Sequence, residues 1–179
     1  MALLKTVPME KAEGVIKNAY EMFMKNNGMI PKPMEMMSVS PALFETQIGR
    51  IHYFSNHPAL SFSLLAHIRY LAAKTLDYPF CTDFNKMVLK RQGLEEEDFK
   101  KMEADPSQSL LEEKDSAMLA FVINCLKKPG EDKAAQFQAL KNLGWTQGDI
   151  VDALSQGVSM IDHSIMMQVF QMDQHCMIG

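Results

Sequence analysis

Apolar residues recur along this chain at the three- and four-residue spacing of amphipathic helices, and no sustained apolar–polar alternation marks a strand. Ala12, Val15, Ala19, Met22 and Phe23 define a first helix. Asn26, Asn27 and Gly28 end it, because glycine accepts the left-handed cap conformation. Pro31 and Pro33 break the chain before a short helical turn through Met36 and Met37. Pro41 suits the first turn of the next helix, whose apolar positions are Leu43, Phe44, Ile48, Ile51 and Phe54. A core helix is expected over 61–75, with Leu64, Leu65, Ile68, Leu71 and Ala72 along its buried stripe. Pro79 biases Tyr78 away from the α region, so residues 77–79 read as a tight turn. A further helix opens near Phe80 or Cys81, carries Phe84, Met87 and Val88, and closes at Gly93.

The second half repeats the pattern. A short helix over 94–102 starts with Glu95, Glu96 and Glu97, which favour a helix N-terminus. Asp105, Pro106 and Ser107 read as a surface linker. Helices follow over 113–127 and 131–143, the latter capped by Gly144. Thr146 and Asp149 have capping-box spacing, with aspartate in the place of glutamate. They open a long final helix with Ile150, Leu154, Val158, Ile161, Ile165 and Phe170 as its apolar positions. The expectation is an all-α fold in a single domain over residues 1–179.

Composition narrows the function classes. With 47% hydrophobic and 22% charged residues, the chain is an ordinary globular protein. The formal net charge of -4, with lysines and arginines scattered, argues against a nucleic-acid partner. Asp152, Gln156, Asp162 and His163 interrupt the most apolar stretch, so no membrane span is expected. Residues 1–5 lack the pattern of a secretory signal, which points to the cytoplasm. Three widely separated cysteines, Cys81, Cys125 and Cys176, form no disulfide framework and fit a reducing compartment. The 16 methionines read mainly as core filler, with an apolar ligand cavity or a subunit interface as the alternative. No phosphate-binding glycine loop, nucleophile elbow or metal-ligand spacing occurs, so neither cofactor nor metal is expected. His175 beside Cys176 is too isolated to hold a metal alone.

The stretch LAHIRYLAAKTLDYPFCTDFNKMVLKRQGLEEEDF, residues 65–99, resembles the core of the alkylhydroperoxidase D-like / carboxymuconolactone decarboxylase family. GMIPKPMEMMSVSPALFE resembles that family's lead-in, and KDSAMLAFVINCLKKPG with LGWTQGDIVDALSQGVSMIDH resembles its tail. The resemblance implies an alkylhydroperoxidase D-like helical domain that assembles as a homo-oligomer. Peroxidase members carry a glutamate, eleven residues, then C-x-x-C-x-x-x-H. Transferred by spacing, the second cysteine falls on Cys81, the first on Tyr78, the histidine on Asn85 and the glutamate on Ala66. Only Cys81 is retained, at the position where the family's cysteine is oxidised by peroxide.

Tyr78 cannot form the resolving disulfide, Asn85 does not titrate near neutrality, and Ala66 has no titratable group. The resemblance therefore implies a peroxidase-related thiol oxidoreductase working through one cysteine, with a hydroperoxide substrate and an external thiol reductant. Cys125 or Cys176 would be internal resolving candidates. Tyr78, Asn85 and His67 are the expected supporting residues, though His67 points about 100° away from position 66. Asp83 beside Cys81 opposes a thiolate, and Lys86 is the expected compensating cation. Two other readings belong to different classes. One is a catalytically silent oligomer binding a small apolar ligand near Met22, Met36, Met37, Phe54 and Phe84. The other is a lyase of the decarboxylase type.

Overall fold

The computed structural model describes residues 2–172, so His175 and Cys176 lie outside the described residues. Every regular element among those residues is a helix, with no strand among them. Packing divides the chain into two compact units.

The first unit comprises residues up to 57 together with the described residues from 165 onward. It contains α1 (Gly14–Asn27), α2 (Lys32–Met37) and α3 (Pro41–Ser55). Gly28 closes α1 with a left-handed φ of 75°, and Pro41 sits in the first turn of α3. The buried stripe of α1 is Ile16, Ala19, Tyr20 and Phe23; of the expected positions Ala12, Ala19 and Phe23 are buried, while Val15 is half-buried and Met22 exposed, their places taken by Ile16 and Tyr20. Tyr20 turns inward because its ring meets Phe44 edge-on at 6.1 Å and its hydroxyl donates to the Val7 carbonyl at 3.1 Å. On α3 only Phe44 and Phe54 of the five expected apolar positions are buried. Met34, Met36 and Met37 are buried core methionines, whereas Met22 is exposed.

The second unit, residues 58–164, carries α4 (Phe62–Thr75), α5 (Pro79–Lys90), α6 (Glu96–Ala104), α7 (Glu113–Lys127) and α8 (Ala134–Asn142). It also holds α9 (Gln147–Val169) as far as residue 164. The expected linker at Asp105 is ordered as a 3-10 turn over Pro106–Gln108, with Asp105 accepting from the Ser107 N–H at 2.9 Å. α4 is the central element, packing most extensively on α5 and next on α7. Ser61 caps it by accepting from the Leu64 N–H at 3.0 Å. The Thr146–Asp149 pair forms its expected reciprocal cap, at 2.9 and 3.1 Å.

α9 departs from expectation. Its buried positions are Ile150, Ala153, Gln156, Gly157, Ser159, Met160, His163, Ser164 and Met167, while Val158 is 46% exposed. The cause is steric. Gly157 lies against α7, where a Cβ would meet Val122 Cγ1 at 2.8 Å, so the small-residue face of α9 turns inward and Val151, Val158 and Ile165 turn out.

Candidate active site

The site is built where α4 hands over to α5. Residues 76–78 reverse the chain. Asp77 takes a left-handed φ of 50°, which aspartate tolerates better than most residues, and the Tyr78 N–H donates to the Ala73 carbonyl at 2.9 Å. Tyr78 then occupies the N-cap of α5 in a non-helical conformation, as the proline after it requires. Pro79 fills the first helical position, where a missing N–H costs nothing. Cys81 therefore stands third in α5, within its first turn, at the positive end of the helix dipole. Tyr78 supplies no side-chain cap to that turn.

Cys81 is 6% exposed, Asn85 2% and Tyr78 1%. Cys81 and Asn85 are one turn apart on α5 and share a face. Asn85 donates from Nδ2 to the Cys81 carbonyl at 2.8 Å and accepts at Oδ1 from Arg69 Nε of α4 at 3.0 Å. A guanidinium from the neighbouring helix is thus held beside the cysteine through an amide. Burial lowers the Arg69 pKa to about 10, and the neighbouring Cys81 acts in the opposite direction. Arg69 still carries its charge at neutral pH. The residue is half-buried, and its guanidinium also approaches the Phe62 ring, at 5.9 Å from the centroid.

Sequence reasoning named Cys81, Tyr78 and Asn85, and the structure brings Cys81 and Asn85 together with Arg69, which it did not name. The available signal was position. Arg69 is one helical turn after Ala66 on the same face of α4, and it is a charged residue in the middle of that helix, whereas Lys74 lies in its last turn. Lys86, the expected compensating cation, is engaged elsewhere: it pairs with Glu96 at 2.7 Å and lies over the Phe99 ring at 5.1 Å. Asp83 is exposed.

His67 is buried on another side of α4. Its Nδ1–H donates to the Ser63 carbonyl at 2.8 Å, and Nε2 has no hydrogen-bond partner among the described residues. Burial pushes its pKa down, opposed by the Ser63 carbonyl and by the carboxylate of Asp115 on α7. Cys125, on α7, is not bridged to Cys81, and burial raises its thiol pKa, which weakens it as a resolving thiolate. Among the described residues, no group of three His, Cys, Asp or Glu side chains is arranged to hold a metal ion, and no helix is long and apolar enough to cross a membrane. A groove of about 430 Å³ opens between α7 and α8, floored by Ala120, Phe121 and Leu140; Cys81 is not part of its lining.

No protein-family model and no curated protein sequence matches the chain. Solved structures do. The chain is similar to an uncharacterized peroxidase-related protein from Silicibacter sp. TM1040, at a TM-score of 0.77 and 13% identity over 95% of this chain and 90% of that one. It is also similar to an alkylhydroperoxidase AhpD core, an uncharacterized peroxidase-related protein from Ralstonia eutropha JMP134. There the TM-score is 0.79 and the identity 14%, over 96% of this chain and 90% of that one. At these identities the likeness establishes the fold, which is all-α and alkylhydroperoxidase D-like.

Proposed function

Starting from the alkylhydroperoxidase D-like fold, we propose that the chain is a peroxidase-related thiol oxidoreductase that reduces hydroperoxides through a single cysteine, Cys81. The observation that carries this reading is the position of that sulfur, in the first turn of α5 with a permanently charged guanidinium on the facing helix. The helix dipole and the cation both favour the anionic form, which is the nucleophile. In the first step the thiolate attacks the distal oxygen of the hydroperoxide and the O–O bond breaks. The leaving alkoxide takes a proton from solvent, giving an alcohol and a sulfenic acid on Cys81. An external thiol then attacks the sulfenic sulfur and releases water, leaving a mixed disulfide. A second external thiol attacks that disulfide, restores the Cys81 thiol and departs as the oxidised reductant.

An external reductant suits this site because Tyr78 stands where a paired thiol would be and Cys125 is held protonated by burial. The direct test exposes the protein to hydrogen peroxide and an alkyl hydroperoxide, traps sulfenic acid with a dimedone-type reagent, and locates it by mass spectrometry. Labelling at Cys81, lost in Cys81→Ser and reversed by added thiol, is the expected result. An unlabelled Cys81 under modest peroxide overturns the proposal and leaves the scaffold as that of a catalytically silent relative.

A further inference from the structure

We propose that Arg69 is the positioning residue of this site, holding Cys81 as a thiolate by fixed charge in place of a proton relay. The proposal deepens the reading of Cys81 as the nucleophile and rests on it. Three observations carry it. First, Arg69 is tied by its Nε to Asn85, whose other amide atom is tied to the Cys81 carbonyl, so one side chain fixes both the cation and the first turn of α5. Second, Arg69 is half-buried and burial lowers its pKa, yet no carboxylate is within ion-pair reach of it among the described residues; the titratable group acting on it is Cys81. A desolvated cation without a carboxylate favours whichever neighbour can become an anion. Third, Arg69 shares a helix face with Ala66 and Asn85 faces it from α5, so the positions to which the family resemblance assigns a proton-relaying carboxylate and imidazole hold a methyl group and an amide.

The chemical consequence differs from that of a relay. A relay adds its own ionisations to the pH profile, whereas a guanidinium stays charged across the working range, so Cys81 reactivity follows one ionisation, that of the thiol itself. Oxidation to the sulfenic acid removes the negative charge and leaves Arg69 facing a neutral sulfur. An incoming reductant thiolate then meets the same cation and attacks the sulfur, releasing water and forming a mixed disulfide; a second reductant thiol attacks the reductant's sulfur of that disulfide, leaves as the oxidised reductant, and returns Cys81 as a thiolate beside Arg69.

The test reads the pH profile of Cys81 alkylation by iodoacetamide in the full chain with Cys125→Ser and Cys176→Ser, which leaves one thiol. The expected profile has a single inflection below that of an ordinary thiol. Arg69→Met is expected to move the inflection up by one unit or more and slow alkylation at neutral pH about tenfold. Arg69→Lys should restore much of the rate, and Asn85→Ala, which keeps the charge but frees it, should give an intermediate shift. Circular dichroism reports folding of each variant. A parent inflection at or above the ordinary thiol value overturns the proposal without any variant, and so does an Arg69→Met profile that coincides with the parent's. The two readings fail separately. A low, Arg69-dependent inflection without peroxide labelling rejects the peroxidase, whereas labelling with an Arg69-independent profile rejects only the role of Arg69.

Discussion

Two basic side chains sit two residues apart on α4 and meet opposite fates. Their Cα–Cβ directions differ by about 200°, so Arg69 faces α5 while His67 lies on the side of Asp115 in α7. Both are desolvated. The imidazole responds by favouring its neutral form, whereas the guanidinium, lowered only to about 10, keeps its charge. One helix thus separates an electropositive seam against α5, which holds the reactive-cysteine candidate, from a neutral packing seam against α7. Burial alone does not make a site. What matters is whether the buried group can shed its charge and whether the neighbour it faces can accept one.

Mutations that strike one seam should leave the other intact. The largest effect is expected on the packing side. Gly157→Val drives a side chain into Val122, a stiff β-branched neighbour already 2.8 Å from the position of a Cβ, and into Leu126 at 3.2 Å. Urea unfolding should show a loss of about 3 kcal/mol. The alkylation profile of Cys81 in the folded protein should stay where it is. On the chemical side, Asn85→Leu removes one buried and one part-buried hydrogen bond and leaves the Arg69 Nε–H without its acceptor. A loss of about 2 kcal/mol is expected, together with a shift of that same profile. Ser61→Ala, at the start of α4, removes the cap on Leu64 and a 3.1 Å hydrogen bond to Asp115. It should cost about 1 kcal/mol and leave Cys81 untouched. A Gly157→Val protein whose folded form has an altered Cys81 profile would show that the two seams are coupled.

How far the sequence foretold this depends on which residues carry the burial. α4 was legible because its inward stripe is made of large aliphatics, Leu64, Leu65, Ile68 and Leu71, and the α4–α5 turn because Pro79 constrains Tyr78. α9 was misread for the opposite reason. Apart from Ile150, its buried face is small or polar, with Ala153, Gln156, Gly157, Ser159, His163 and Ser164 beside two methionines, so beyond Ile150 hydrophobic periodicity picked out half-buried or exposed positions. The site divides in the same way. Cys81, Tyr78 and Asn85 could be reached by motif spacing, because spacing along one helix survives in sequence. Arg69 could not, because an arginine in a helix usually snorkels to solvent, and its partner Asn85 is 16 residues away on another element. Lys86 looked better in sequence only because it is near Cys81 along the chain; Glu96 draws it to α6.

The smallest effect at neutral pH, and the one with the clearest sign, belongs to His67. Its pKa in the folded protein is pushed below the ordinary 6.5 by burial, against the pull of the Ser63 carbonyl and of Asp115. Below 6.5 the unfolded chain therefore binds more protons at this position than the folded one. The stability contributed by the neutral ring is fully present above that value and is lost as pH falls through the window down to the folded pKa. Asp115 works in the opposite sense. Burial raises its pKa above 3.8, so its protonated form is favoured in the fold and acidification relieves it. His67→Leu keeps Asp115, with Glu112 and Lys114 beside it, in both proteins, so the difference between the two unfolding curves reports the ring together with its coupling to Asp115. That difference should be small at about pH 7 and should move in favour of His67→Leu as pH falls towards about 5, where the parent must place a proton on a buried ring. Parallel stability curves over that interval would mean that the imidazole titrates alike folded and unfolded, and the contrast between the two basic groups of α4 would then rest on Arg69 alone.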